Sequence, residues 1–205
     1  MNSKKITTLF LDIGGVLLSN GWGRKEREQA IKHFKLDSGE MNERHHLTFD
    51  TYEEGKLSLN DYLKRVIFYE PREFTQEEFT AFMMAQSTPY NESIDFFKKL
   101  KKKHDLKVIA ISNEGRELNT HRVNKFGLDK LFDAFISSSY VHMRKPDVDI
   151  FRMAIDISHT KPERSIYIDD RLMFVQIANS LGMNGLHYKG VKPIKKELKA
   201  FKFSS

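Results

Sequence analysis

The stretch ITTLFLDIGGVL, residues 6–17, decides the fold. Its apolar run, Ile6 to Leu11, stops at Asp12 and is followed by Gly14-Gly15. A run that short, closed by turn-forming residues, reads as a buried strand. Two further runs repeat the pattern: KVIAI at 107–111 stops at Ser112-Asn113, and SIYI at 165–168 stops at Asp169-Asp170. Phe135-Ile136 and residues 185–188 are weaker strand candidates. Between the later runs, Phe174, Ile177, Ala178 and Leu181 recur at helical spacing before Gly182, and Val123 and Phe126 precede Gly127 in the same way. Strands alternating with helices predict an α/β fold: a doubly wound, parallel, Rossmann-like sheet with helices on both faces.

The interval between the first two runs is mostly helical in pattern. Ala30, Ile31 and Phe34 share one face. Leu59, Tyr62, Leu63, Val66 and Ile67 share another behind a capping Ser58, and Thr75 with Glu78 forms a capping-box pattern before Phe79, Phe82 and Met83. A helix carrying Phe96, Phe97 and Leu100 then leads into the second strand. Residues 19–88 are therefore predicted to be a small α-helical cap domain inserted after the first strand, with residues 1–18 and 89–205 as the core domain. An insertion at the carboxyl end of a strand sits over the crevice where open α/β sheets bind ligands.

Composition narrows the function. The chain has 205 residues, 40% hydrophobic and 30% charged, with 16 Phe and 8 Met to fill a core. It has no Cys, which excludes disulfide scaffolds, thiol catalysis and Fe–S ligation. The net charge of +6 favours anionic ligands. The lysine runs at 98–103 and 192–199 lack interleaved aromatics and read as solvated helix faces, so no nucleic-acid partner is expected. No stretch reaches membrane-span length. The start runs straight into a strand without a secretory pattern, so the cytoplasm is the expected location. His45-His46 lack the helical spacing of a zinc site. A monomer is expected, with an oligomer left open.

Parallel strands deliver their carboxyl ends to one edge, so Asp12, Ser112-Asn113 and Asp169-Asp170 should meet there, joined by Arg144-Lys145 from the loop before the third strand. Oxygen-only ligands without Cys or paired His suit Mg²⁺. A metal and Lys145 would neutralise clustered carboxylates and a bound phosphate together, and one carboxylate could then attack phosphorus. Taken singly, each of these residues has a plainer reading: Asp12 and Ser112-Asn113 as turns, Asp169-Asp170 as a helix cap, Lys145 as a surface lysine.

Together, LFLDIGGVL at 9–17, IAISNE at 109–114, MRKPDVDIF at 143–151 and YIDDR at 167–171 resemble, in order, the motifs of the haloacid dehalogenase-like hydrolases. The resemblance is strongest to helical-cap phosphatases such as α-glucose-1-phosphatase and the amino-terminal phosphatase domain of epoxide hydrolases. It implies a Mg²⁺-dependent phosphatase acting on a small phosphorylated metabolite, a sugar phosphate above all, through an aspartyl-phosphate. It implies Asp12 as nucleophile, Ser112 and Asn113 at the phosphate, and Lys145 bridging nucleophile and phosphoryl group. Asp12, the Gly14 carbonyl and Asp170 would ligate the metal, with Asp169 behind them or on a metal-bound water. TYEEGKLS at 51–58 is similar to the cap's specificity loop, which makes Glu53 and Glu54, with Trp22, candidates for substrate contact. Gly14 departs from the family pattern, because most of its phosphatases carry there a second Asp that protonates the leaving oxygen. Phe174, where relatives often have Asn or Asp, and His142, replacing a frequent Gly, also depart. Two rival readings follow: a catalytically silent binding protein that has lost its acid, and a 2-haloacid dehalogenase, which would use Asp12 without a metal.

Overall fold

The computed structural model describes residues 5–203, so residues 1–4 and 204–205 of the expected core domain lie outside the described residues. Five strands, β1 (Thr8–Leu11), β2 (Lys107–Ser112), β3 (Ala134–Ser137), β4 (Ser165–Asp169) and β5 (Asn184–His187), form one parallel sheet in the order β3-β2-β1-β4-β5. β1 starts two residues later than its apolar run, although Thr7 still donates to the Arg164 carbonyl and accepts from the Lys107 N–H. The two weak candidates, β3 and β5, are the edge strands, which explains their diluted apolar pattern.

The central strands are apolar in their middles because both faces are covered. Side chains alternate across the sheet. Leu9, Leu11, Val108, Ala110, Ile166 and Ile168 pack to one side, against Ile94, Phe97 and Leu100 of α5 (Asn91–His104) and Ile194 and Leu198 of α10 (Val191–Leu198). Phe10, Ile109, Ile111 and Tyr167 pack to the other, against Ile150, Phe151 and Ala154 of α8 (Val148–Ser158) and Phe174 and Ala178 of α9 (Leu172–Ser180). Phe10 is fully buried, so Phe10→Ala would cost about 3–5 kcal/mol.

Four helices lie over the carboxyl edge: α1 (Arg24–Phe34), α2 (Ser38–Glu53), α3 (Leu59–Val66) and α4 (Gln76–Ala85). Asp37, Ser58 and Thr75 each cap a helix with a side-chain oxygen, and Thr75 with Glu78 closes a complete capping box. They share a core of their own, built from Trp22, Ala30, Met41, Tyr52, Tyr62 and Phe79, among others. The chain enters and leaves this layer side by side: Leu18 and Pro89 form an antiparallel bridge, the Ser19 N–H donates to the Thr88 carbonyl at 2.9 Å, and the Tyr90 N–H donates to the Leu17 carbonyl at 2.8 Å. The core side presents α6 (Arg116–Phe126) and the short α7 (Ser138–Val141) to the layer. Gly115, at the start of α6, lets the two layers touch: a Cβ there would lie 2.1 Å from Tyr52 Cζ. Gly55, after α2, has φ +69 and lies so close to the Ser139 carbonyl that a Cβ would meet its oxygen at 2.2 Å. No described helix is long and apolar enough to cross a membrane.

Candidate active site

Asp12 directly follows β1, β2 ends in Ser112 and β4 in Asp169, so the register of the sheet brings these side chains to one edge. Lys145, 1% exposed, sits between them. Its ammonium meets Asp12 Oδ1 at 3.1 Å and Asp169 Oδ2 at 2.7 Å, and donates to the Tyr167 hydroxyl at 3.3 Å. Asn113 does not point its amide freely at the cavity. It accepts from the Lys145 N–H at 2.8 Å and donates to the Lys145 carbonyl at 2.7 Å, so it locks the lysine's backbone in place. Burial opposes the charge on Lys145, but Asp12 and Asp169 outweigh it and hold the ammonium above its ordinary pKa. Burial raises Asp12 in spite of Lys145, and the Asp169 charge adds to that rise.

The three carboxylates differ in what satisfies them. Burial would raise Asp169, but Lys145 and hydrogen bonds from the Tyr167 hydroxyl and the Arg171 N–H hold it below the ordinary range. Its oxygens are thus engaged by protein donors. Asp170 is the opposite case: its Oδ1 is buried and meets no protein donor. Burial, then the charges of Asp12 and Asp169, push it up to about 6. Oxygens of Asp12, Asp169 and Asp170 lie within 4.8 Å of one another. An orphaned buried oxygen amid mutually repelling carboxylates fits a divalent cation with hard oxygen ligands. Gly15, at φ +71, makes room for the Asp170 carboxylate, because a Cβ there would overlap its Oδ2 at 2.2 Å. Gly14 has no such backbone demand: a Cβ would only approach Asn20 Oδ1 at 3.1 Å.

Above this edge lies a cavity of about 360 Å³, floored by Asp12, Gly14, Ser112, Lys145 and Phe174 and roofed by Trp22, Arg27, Phe49, Tyr52 and Glu53 of the helical layer. That volume is at the small end for ligand sites and suits a small metabolite. Trp22 is both core and wall, since it is buried, lines the cavity and donates from Nε1 to the Tyr62 hydroxyl at 2.9 Å. Glu53 belongs to the last turn of α2 rather than to a loop, and it is buried. Arg144 donates twice to Glu53 Oε2, at 3.0 and 2.6 Å, and reaches Asp50 at 2.7 Å. Burial raises Glu53 in spite of this partner. Glu54 does not line the cavity and pairs with Lys56 at 2.7 Å. His142 donates from Nδ1 to the Glu54 carbonyl, 2.7 Å away, and so ties α7 to the helical layer. His45 is buried against the Tyr62 hydroxyl, and burial with the Arg27 charge drives it down to about 3, which keeps it neutral.

Sequence reasoning missed Glu114. It lines the same cavity, is buried, and is paired with Arg122 of α6, which also donates to the Ser19 carbonyl. Burial pushes it up to about 7, Arg122 pulls it down, and Asp12 and Glu53 add to the rise. The signal was its place directly after Ser112-Asn113 in IAISNE. Arg27 was missed too: nothing in its helical pattern marks it as cavity-lining.

A parallel α/β sheet with carboxylates, a lysine and a serine gathered on its carboxyl edge, under a helical roof, defines a hydrolase of the haloacid dehalogenase class. The chain belongs to the haloacid dehalogenase-like hydrolase family, whose model matches residues 6–182. It is 27% identical over 201 residues to a D-ribitol-5-phosphate phosphatase of Bacteroides thetaiotaomicron, covering 86% of this chain and 89% of the relative. It is 25% identical over 132 residues to a phosphorylated carbohydrates phosphatase of Thermotoga maritima, covering 64% of this chain and 56% of the relative. A haloacid dehalogenase family enzyme of B. thetaiotaomicron, solved as a magnesium complex, superposes with a TM-score of 0.79 at 21% identity, covering 91% of this chain and 94% of that one.

Proposed function

We propose that this hydrolase is a Mg²⁺-dependent phosphatase that cleaves a small phosphomonoester of a sugar or polyol through an aspartyl-phosphate on Asp12. One observation carries the reading: the Asp12 carboxylate stands 3.1 Å from the Lys145 ammonium and inside a three-carboxylate, oxygen-only cluster spanning no more than 4.8 Å. A 2-haloacid dehalogenase would not need that cluster. The two phosphatase relatives, named for ribitol phosphate and for phosphorylated carbohydrates, support the substrate class. In this reading residues 19–88 form the cap domain and residues 1–18 and 89–205 the core, a division supported by the paired crossing at Leu18 and Pro89.

Asp12, Asp170 and the Gly14 carbonyl would hold the ion, which when bound neutralises the clustered carboxylates and the phosphoryl oxygens. Ser112 and the Lys145 ammonium orient the phosphoryl group for in-line attack. A carboxylate oxygen of Asp12 bonds to phosphorus while the ester P–O bond breaks, and the departing alkoxide takes its proton from water. A water molecule then attacks the same phosphorus, the bond to Asp12 breaks, and inorganic phosphate leaves. Asp169 holds Lys145 in position throughout.

The test is phosphate release from sugar, polyol, nucleotide and aryl phosphates, with Mg²⁺ and with chelator. Metal-dependent release is expected, and Asp12→Asn should lower it at least about 10⁴-fold in a protein that still folds. Release of halide from a 2-haloacid without metal, or inertness toward every phosphate ester, would overturn the reading. The second outcome is that of a silent binding protein.

A further inference from the structure

We propose that Glu114 is a specificity-determining residue that accepts a hydrogen bond from a hydroxyl of the substrate's alcohol part, so that esters of polyhydroxy alcohols are selected over plain alkyl phosphates. The inference rests on the phosphatase reading above. Glu114 lies two residues beyond Ser112 and lines the same cavity as Asp12. Its backbone is fixed by the hydrogen bond from its N–H to Ser138 Oγ at 2.9 Å. One carboxylate oxygen is taken by Arg122, whereas Oε2 is buried and meets no protein donor. A buried acceptor left unpaired is costly, and a donor brought by the substrate removes that cost.

Arg122 decides what kind of donor fits. It is fully buried, it cannot give up its proton, and Glu114 is its only ion-pair partner among the described residues. A protonated Glu114 would leave that guanidinium uncompensated, so the pair favours an accept-only carboxylate over a proton donor. A cationic substrate group gains little beside Arg122, and an anionic one is repelled by Glu114 and Glu53. A neutral hydroxyl suits Oε2. The neighbouring walls, Trp22, Phe49 and Tyr52, offer apolar faces for the C–H surface of a carbon chain.

The experiment compares kcat/KM for a pentitol 5-phosphate and for n-pentyl phosphate, esters of equal chain length that both release a primary alcohol, at pH 8 with Mg²⁺. The wild type should prefer the pentitol ester about 10- to 100-fold, the worth of one hydrogen bond to a charged group. Glu114→Gln should cut this ratio at least about fivefold. So should Glu114→Leu with Arg122→Met, which removes both partners of the buried pair and so guards against a misfolded single variant. Comparing ratios cancels the different basicity of the two leaving alcohols. A wild-type ratio near one overturns the proposal, whether or not any variant folds. So does a ratio that survives in a folded variant, including the case in which both esters slow equally, as loss of a proton donor or of packing would produce. An aryl phosphate assayed on the wild type separates the two levels: turnover of it without a pentitol preference removes only the role of Glu114, and inertness toward all three esters removes the phosphatase reading as well.

Discussion

Asp170 carries the clearest residue-scale prediction, because its carboxyl is raised from 3.8 to about 6 by burial and by Asp12 and Asp169. An acid raised on folding stabilises the fold most when protonated, so that contribution is lost as pH climbs from about 3.8 through about 6. Without divalent ions, Asp170→Asn should melt near the parent at pH 4 and above it at pH 7. With Mg²⁺ in excess the order should reverse at pH 7, since only the parent gains fully from ligation, by about 2.7 kcal/mol at one hundred times Kd. Thermal melts at both pH values, with Mg²⁺ and with chelator, check this, and an Asn variant that stays more stable than its parent at pH 7 with Mg²⁺ in excess would deny the site its cation. Gly14 carries the second prediction. With no carboxyl there, single-turnover rates should fall steeply as leaving-group basicity rises. Gly14→Asp should restore about 10- to 100-fold on primary-alcohol phosphates and little on aryl ones, since only the Asn20 amide must shift to admit it. Residues at strand ends, Asp12, Ser112 and Asp170, were legible in the sequence because topology alone gathers them, and Lys145 because it stands in the MRKPD segment. Glu53 was marked only through the likeness of TYEEGKLS to a specificity loop, and Glu114 was missed, because each is buried against an arginine, Arg144 or Arg122, that the sequence does not pair with it.

At the scale of elements, the sheet was readable and α2 was not. β1, β2 and β4 announce themselves because burial on both faces demands unbroken apolar runs. α2 hides because its buried face is Met41, His45, Tyr52 and Glu53, of which two are polar side chains satisfied only in the tertiary structure. Its last turn lies inside the TYEEGKLS segment that reads as a loop, so Glu53 reaches the cavity from a helix. The contact of this helix with α6 turns on Gly115, which no pattern marks. Gly115→Ala would place a methyl 2.1 Å from the Tyr52 ring, and the ring cannot retreat through its stacking partner Tyr62, 4.9 Å away. Overpacking of this kind should cost about 1–3 kcal/mol in urea unfolding. It should also raise KM by tilting α2 away from the cavity. An alanine variant with unchanged stability and KM would show that the two layers are not held by this contact.

For the whole molecule, Arg144 is the main ionic tie between the catalytic edge and the helical layer, reaching Asp50 and Glu53 from beside Lys145. Arg144→Met should leave Glu53 buried without a partner and cost about 1–3 kcal/mol. KM should rise more than kcat falls, because the tie positions the roof rather than the nucleophile. Equal loss in kcat and kcat/KM would instead assign Arg144 to the phosphoryl group itself. The crossing at Leu18 and Pro89 has a consequence of another kind. All five strands come from outside the 19–88 interval, and the two chain segments that bound it are already hydrogen-bonded to each other. Insertions, deletions or wholesale exchange by recombination between those two points therefore leave every strand register intact. Descendants of this chain can diverge in what they recognise, by rewriting a contiguous stretch of gene, while the bond-breaking edge is inherited unchanged.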